Sequence, residues 1–291
     1  MKEKFKYWLI PPGWINLKNR LVKRNVPVEE RYLPESVFDR LKEVRDIHKG
    51  ERCFILASGP SINKHDLSVL QDETCIAVSQ FFLHPQIESI RPKYHCFAPQ
   101  HEPFDDTTNR IIFDNYRKFY SFPIKCFIGT TPFIYSYYNF LAKNPEYNVD
   151  SYFIDYSRAV DLNEHNFRSN EVWDITERPF LIRTVIYEAI QLAYYMGFKE
   201  IYLLGVDHDY LKDVGRVTNH HFYDDGKSFS DEKHLAQITK EDWFYIYHLR
   251  WKQYRLMYTY LDEQGVSIKN LTPDSMLDVF PFSTLEEVLK G

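Results

Sequence analysis

Two polar turns, each following a short apolar run, hold the residue types that nucleotide chemistry needs. The first is Ala57-Ser58-Gly59-Pro60-Ser61 after Cys53-Phe54-Ile55-Leu56. A strand that ends in small residues lets backbone N–H groups and hydroxyls approach a phosphate or ribose. The second is Gly205-Val206-Asp207-His208-Asp209-Tyr210 after Ile201-Tyr202-Leu203-Leu204. Neither turn is a G-x-G-x-x-G fingerprint or a P-loop, so the nucleotide class is left open by these residues. Asp207 and Asp209 flank a histidine in a D-x-D arrangement that can hold Mg²⁺ or Mn²⁺ against a diphosphate. Whether a metal is held is left open by these residues themselves. A third cluster, Asn219-His220-His221-Phe222-Tyr223-Asp224-Asp225, places a histidine pair beside tyrosine and acid. Histidine suits general-base work because it titrates near working pH.

The surrounding elements alternate in type. Residues 1–48 read as an N-terminal extension that ends in a helix over 34–48. From 49 to 291 the pattern predicts a single domain: strand 53–57, helix 63–70, strands 74–79 and 94–98, a short strand at 125–128, and a helix from 183 to Gly197. A strand at 201–204, a helix over 241–263 and a strand near 266–268 complete it. Residues 136–180, rich in Tyr, Asn and Asp, read as irregular or lid-like, and a long insertion around 211–240 reads as a lid. The fold class is therefore α/β, a Rossmann-like, mainly parallel sheet flanked by helices. In such sheets ligands sit outside the carboxyl ends of the strands, where both polar turns fall.

Composition narrows the function. A net charge of −5 over 291 residues leaves no basic field for a nucleic acid, so none is expected as a partner. The 22 Tyr and 22 Phe can stack on bases or sugars but more generally fill cores and subunit contacts, which makes a homo-oligomer an expectation. Cys53, Cys75, Cys96 and Cys126 form no C-x-x-C pair and read as buried free thiols of a reducing, cytoplasmic protein. No apolar run approaches the roughly 20 residues that span a bilayer. The first 24 residues interleave Lys2, Lys4, Lys6, Lys18, Arg20, Lys23 and Arg24 with Phe5, Tyr7, Trp8 and Trp14. Such a mixture rests on the anionic cytoplasmic face of an inner membrane, or packs on a neighbouring subunit.

Three segments together, ASGPSIN, AIQLAYYMGFKEIYLLGVD and SIKNLTPDSMLDVF, resemble one known group. They look like the bacterial sialyltransferases that decorate lipooligosaccharide, and the wider nonulosonic-acid transferases that include the motility-associated flagellin glycosylation factors. The resemblance covers roughly residues 51–285. It implies a GT-A-like variant of the Rossmann-like domain with a small lid, a CMP-activated sugar acid as donor, inversion at the anomeric carbon and no metal. By the same resemblance the nucleotide would be met by Ala57, Ser58, Gly59, Pro60 and Ser61, by Ser79 and Gln80 after the second strand, and by Pro273, Asp274 and Ser275. Gly205 and Asp207 would close the same nucleotide site. His248 falls on the group's catalytic histidine, although among Tyr245, Tyr247 and Trp251 it also reads as a packed helix residue. Tyr210 and Tyr223 would donate to the departing phosphate, as tyrosines do in that group. Arg183 and Thr184 would meet the donor sugar. Here Ser58 and Ala57 stand where the group carries asparagine and glycine, and its Arg-x-x-Ser-Gly is represented only by Arg183-Thr184.

The expected activity is thus an inverting glycosyltransferase of bacterial surface-glycan assembly, with a CMP-activated nonulosonic acid or Kdo as donor and a glycan or glycolipid as acceptor. His248 and His221 are its two candidate bases. The alternatives are a metal-dependent nucleotide-sugar transferase or ATP-dependent pyrophosphokinase built on Asp207-His208-Asp209, and a catalytically silent nucleotide-binding protein.

Overall fold

A computed structural model describes residues 31–213, 220–223 and 239–290. Contacts divide the chain into two compact units, residues 1–32 and 33–291, and every element below belongs to the second. The basic, aromatic arm over 1–24 and most of the expected lid, 214–219 and 224–238, lie outside the described residues.

Seven strands form one sheet: β1 (Arg52–Leu56), β2 (Cys75–Val78), β3 (Tyr94–Phe97), β4 (Lys125–Thr130), β5 (Asp150–Asp155), β6 (Glu200–Leu204) and β7 (Ser267–Asn270). Their spatial order is β5-β4-β3-β2-β1-β6-β7, and every pairing is parallel. Ile55 lies between Ile76 of β2 and Leu203 of β6, which fixes the register at the centre. A parallel sheet is covered on both faces, and that is why β1, β2 and β6 are continuous apolar runs rather than alternating ones.

Alternate residues divide between two cores. Cys53, Ile55, Ile76, Val78 and Cys96 face Phe38, Leu41 and Val44 together with the helices Val185–Tyr195 and Lys240–Glu263. Phe54, Leu56, Cys75, Ala77 and Cys126 face the other way, toward Ile112, Phe113 and Tyr116 of the helix Asp106–Phe119. All four cysteines are buried and free, as their apolar settings predict. The chain steps from β1 to β2 in one direction and from β6 to β7 in the other. β1 and β6 therefore bound the crevice at which the connections diverge.

Three expectations are corrected. The 34–48 segment forms two 3₁₀ helices, Glu35–Val37 and Asp39–Val44, in place of one α-helix. Residues 63–70 likewise divide into Pro60–Lys64 and Leu67–Leu70, because Asp66 breaks the run in an extended conformation and its carboxylate accepts from Ser68 N to start the second turn. The supposedly irregular 136–180 stretch contains the helix Tyr137–Lys143, capped by Ser136, and the strand β5. An edge strand buries less than a central one, so Asp150-Ser151-Tyr152-Phe153-Ile154-Asp155 carries too few apolar residues to announce itself. The helix Lys240–Glu263 begins at a reciprocal cap, in which Asp242 N donates to Thr239 Oγ1 and Thr239 N donates to Asp242 Oδ2, both at 3.1 Å. Among the described residues no helix is long and apolar enough to cross a membrane.

Candidate active site

The two polar turns meet at the β1/β6 crevice and are bonded to each other. Ala57 N donates to the Leu204 carbonyl at 2.8 Å, and Gly59 N to the Gly205 carbonyl at 2.9 Å. Asp207 then binds the turn from the other side: it accepts from Ser61 N at 3.2 Å and from Ser61 Oγ at 2.7 Å. A Cβ at Gly59 would collide with the Asp207 carboxylate and the Gly205 carbonyl. The glycine is thus required by the approach of the second turn. Gly205 sits at φ +69, and a Cβ there would lie 2.6 Å from the Ala57 carbonyl oxygen. Burial raises the Asp207 carboxyl above the usual carboxylate range, against the opposing pull of the Ser61 bonds.

The loop after β7 completes this floor. Thr272 Oγ1 accepts from Val206 N at 2.9 Å. Ser275 Oγ donates to the Val206 carbonyl at 2.6 Å and accepts from Asn270 Nδ2 at 3.0 Å. Exposed Asp274 pairs with Lys64 at 3.1 Å, and Pro273 is half-buried beside it. Ser275 therefore ties two loops together, while Pro60 stands exposed at the rim.

Residues 220–223 lie on the first turn. Phe222 N donates to the Ser58 carbonyl at 2.8 Å, and His221 Nδ1 lies 2.8 Å from Ser58 Oγ. Tyr223 stacks on the His221 ring at 5.0 Å, and Phe222 packs edge-on against Phe81 and His84. His220 Nδ1 is 3.0 Å from Asp209 Oδ1. His208 turns inward at φ +49 and its Nε2 meets the Tyr254 hydroxyl at 2.8 Å. The members of the D-x-D run thus engage three different partners, Ser61, Tyr254 and His220. Among the described residues no three His, Cys, Asp or Glu side chains gather to hold a metal.

The remaining candidates separate. Tyr210 stacks on Tyr247 at 5.0 Å, with the Arg250 guanidinium 5.0 Å from its ring and the His220 ring 6.1 Å away. His248 is exposed on the helix Lys240–Glu263, and among the described residues no hydrogen bond or ring contact joins it to the turns. Ser79 and Gln80 are half-buried at the carboxyl end of β2, next to β1. Arg183 and Thr184 line a cavity of about 460 Å³ with Gln100, His101, Thr131 and Phe133, at the ends of β3 and β4 on the same edge of the sheet. Arg183 Nη2 reaches Asp161 at 2.8 Å, and its Nε is buried without a hydrogen-bond partner.

Sequence reasoning missed Thr272, Asn270, Gln100 and Thr131. The first two carried a signal, since polar residues that interrupt a buried strand end must find partners. Gln100 and Thr131 follow β3 and β4 and carried none beyond that position.

No curated protein sequence matches the chain. Among solved structures it is similar to the sialyltransferase CstII from Campylobacter jejuni in complex with cytidine-5'-monophosphate, at 15% identity and TM-score 0.43, covering 80% of this chain and 85% of that one. It is also similar to the monofunctional α-2,3-sialyltransferase Cst-I from Campylobacter jejuni, at 16% identity and TM-score 0.43, covering 80% of each chain. The family model described as 6-hydroxymethylpterin diphosphokinase MptE-like matches residues 32–213, most of the sheet and both polar turns, so the chain belongs to the MptE-like family.

Proposed function

We propose that the protein is an inverting glycosyltransferase that moves a CMP-activated nonulosonic acid, or the related Kdo, onto a glycan or glycolipid acceptor in surface-glycan assembly. The observation that carries this reading is the His221 imidazole against Ser58 Oγ at the β1/β6 crevice, with the Arg183 cavity on the same carboxyl edge. β1 and β3 are two strand spacings apart, roughly 10 Å. That span suits a donor whose nucleotide lies on the 57–61 turn and whose sugar acid reaches the Arg183 cavity.

In the reaction the bond between the anomeric carbon and the CMP phosphate oxygen breaks, and its electron pair leaves with CMP. The acceptor oxygen attacks the opposite face of that carbon and gives its proton to His221. The Ser58 hydroxyl balances charge on the departing phosphate, with Tyr223 as a further donor. Arg183 pairs with the donor carboxylate.

The family description favours a second reading, diphosphoryl transfer from ATP, in which Asp207 and Asp209 would hold magnesium only by giving up their present bonds to Ser61 and His220. Calorimetric titration of the purified protein with CMP, CDP, UDP and ATP, in EDTA and then in Mg²⁺ or Mn²⁺, separates the two. Selective CMP binding that survives EDTA is expected. ATP binding only with Mg²⁺ would replace glycosyl transfer by the second reading.

A further inference from the structure

Ser79 occupies φ +55 although it is not glycine. An L side chain crowds the backbone in that left-handed region, so serine stays there only when its surroundings hold it. Here the holding contacts come from β3. Ser79 N donates to the Cys96 carbonyl at 3.2 Å, and His95 Nε2 lies 2.7 Å from the Ser79 carbonyl oxygen. On the far side of the ring, His95 Nδ1 is 2.6 Å from the Tyr120 hydroxyl. A carbonyl only accepts, so Nε2 carries the proton, and Nδ1 of the neutral ring accepts from Tyr120. His95 is wholly enclosed, and burial keeps it neutral by pushing its pKa down to about 3. Phe97 and Phe82 hold the ring plane, at 4.2 and 5.8 Å between centroids.

We propose that His95 and Tyr120 are positioning residues: a buried Tyr120–His95 relay clamps the Ser79 carbonyl, locks Ser79 in the left-handed region, and so presents Ser79 and Gln80 to the nucleotide. The effect on nucleotide binding rests on the function proposed above, whereas the backbone clamp does not. Serine at this place keeps a hydroxyl at the edge of the crevice that glycine, the residue suited to the conformation, would lack.

The test is His95→Phe, which keeps an aromatic ring in the pocket and removes both hydrogen bonds. In its crystal structure residue 79 should leave positive φ, and the Kd for CMP should rise about tenfold, the size of one lost buried hydrogen bond. In a Ser79→Gly background, where glycine holds the conformation unaided, the same substitution should raise the Kd less than about threefold. Should His95→Phe fail to fold, His95→Asn, whose shorter side chain cannot span both partners, carries the same expectations. Residue 79 remaining at positive φ in the folded variant overturns the clamp. An equal rise in Kd in both backgrounds overturns the link through Ser79. A wild-type protein that binds neither CMP nor ATP refutes the nucleotide reading and its affinity consequence, and the clamp is then decided by the backbone of residue 79 alone.

Discussion

The buried histidines make the fold sensitive to mild acid, and the size of the effect follows from the structure. Burial pushes His95 down to about 3, His84 to about 4 and His208 to about 3, the last helped by Arg250. In the unfolded chain each titrates near 6.5. A lowered folded value means that the unfolded chain binds protons the folded one refuses. The stability from each ring is therefore full above pH 6.5 and is lost as pH falls toward the folded value. One such histidine loses about 1.4 kcal/mol per pH unit, or about 2 kcal/mol between pH 6.5 and 5. Glu188 works in the opposite sense. Burial raises its carboxyl well above the usual range, so its contribution is full below about pH 4.5 and is lost as pH rises through its folded value. Each of these histidines adds a loss of that size and Glu188 opposes it, against a total stability of about 5–15 kcal/mol for an ordinary domain. Urea unfolding at pH 7.5, 6.5, 5.75 and 5.0 measures it. His95→Gln replaces the titrating ring by a neutral amide. That variant should be less stable at pH 7.5, yet should lose about 2 kcal/mol less than wild type on going to pH 5. Parallel stability profiles for the two proteins would refute the assignment of the acid response to His95.

Other outcomes test the site. His221→Ala should lower kcat by about 10²-fold or more with the Kd for CMP nearly unchanged, while His248→Ala keeps turnover; initial rates on a CMP-sugar with both variants decide it, and the reverse pattern would move the base to the long helix. Gly59→Ala should cost about 2 kcal/mol or more in urea unfolding, because its Cβ must displace Asp207 or the Gly205 carbonyl. A fully stable Gly59→Ala protein would show that the two turns are not packed as described. Arg183→Met should raise the donor KM about tenfold or more without changing CMP affinity, as expected for a group that meets only the transferred sugar.

The apolar runs at Cys53–Leu56, Cys75–Val78 and Ile201–Leu204, each followed by small or polar residues, are enough to give a parallel sheet. Such strands are buried on both faces and must be apolar throughout, so local composition reports them directly. The three quoted segments resemble the bacterial sialyltransferases and their wider relatives, and the family model that matches the chain is the MptE-like one. β5 escaped notice because an edge strand needs fewer apolar residues, and the two 3₁₀ pairs escaped because hydrophobic spacing alone does not distinguish them from short α-helix. In the sequence, the resemblance points to His248 as the base, while the setting of His221 on a loop beside Tyr and Asp favours it. In the fold one is exposed on a helix and the other sits against Ser58. Gly59 reads in sequence as room for a phosphate, but the space beside it is taken by Asp207. The periodicity of a chain records which of its faces are buried. It does not record which distant segment covers them, because that depends on contacts made only when residues more than a hundred positions apart come together, as Ser58 and His221 do.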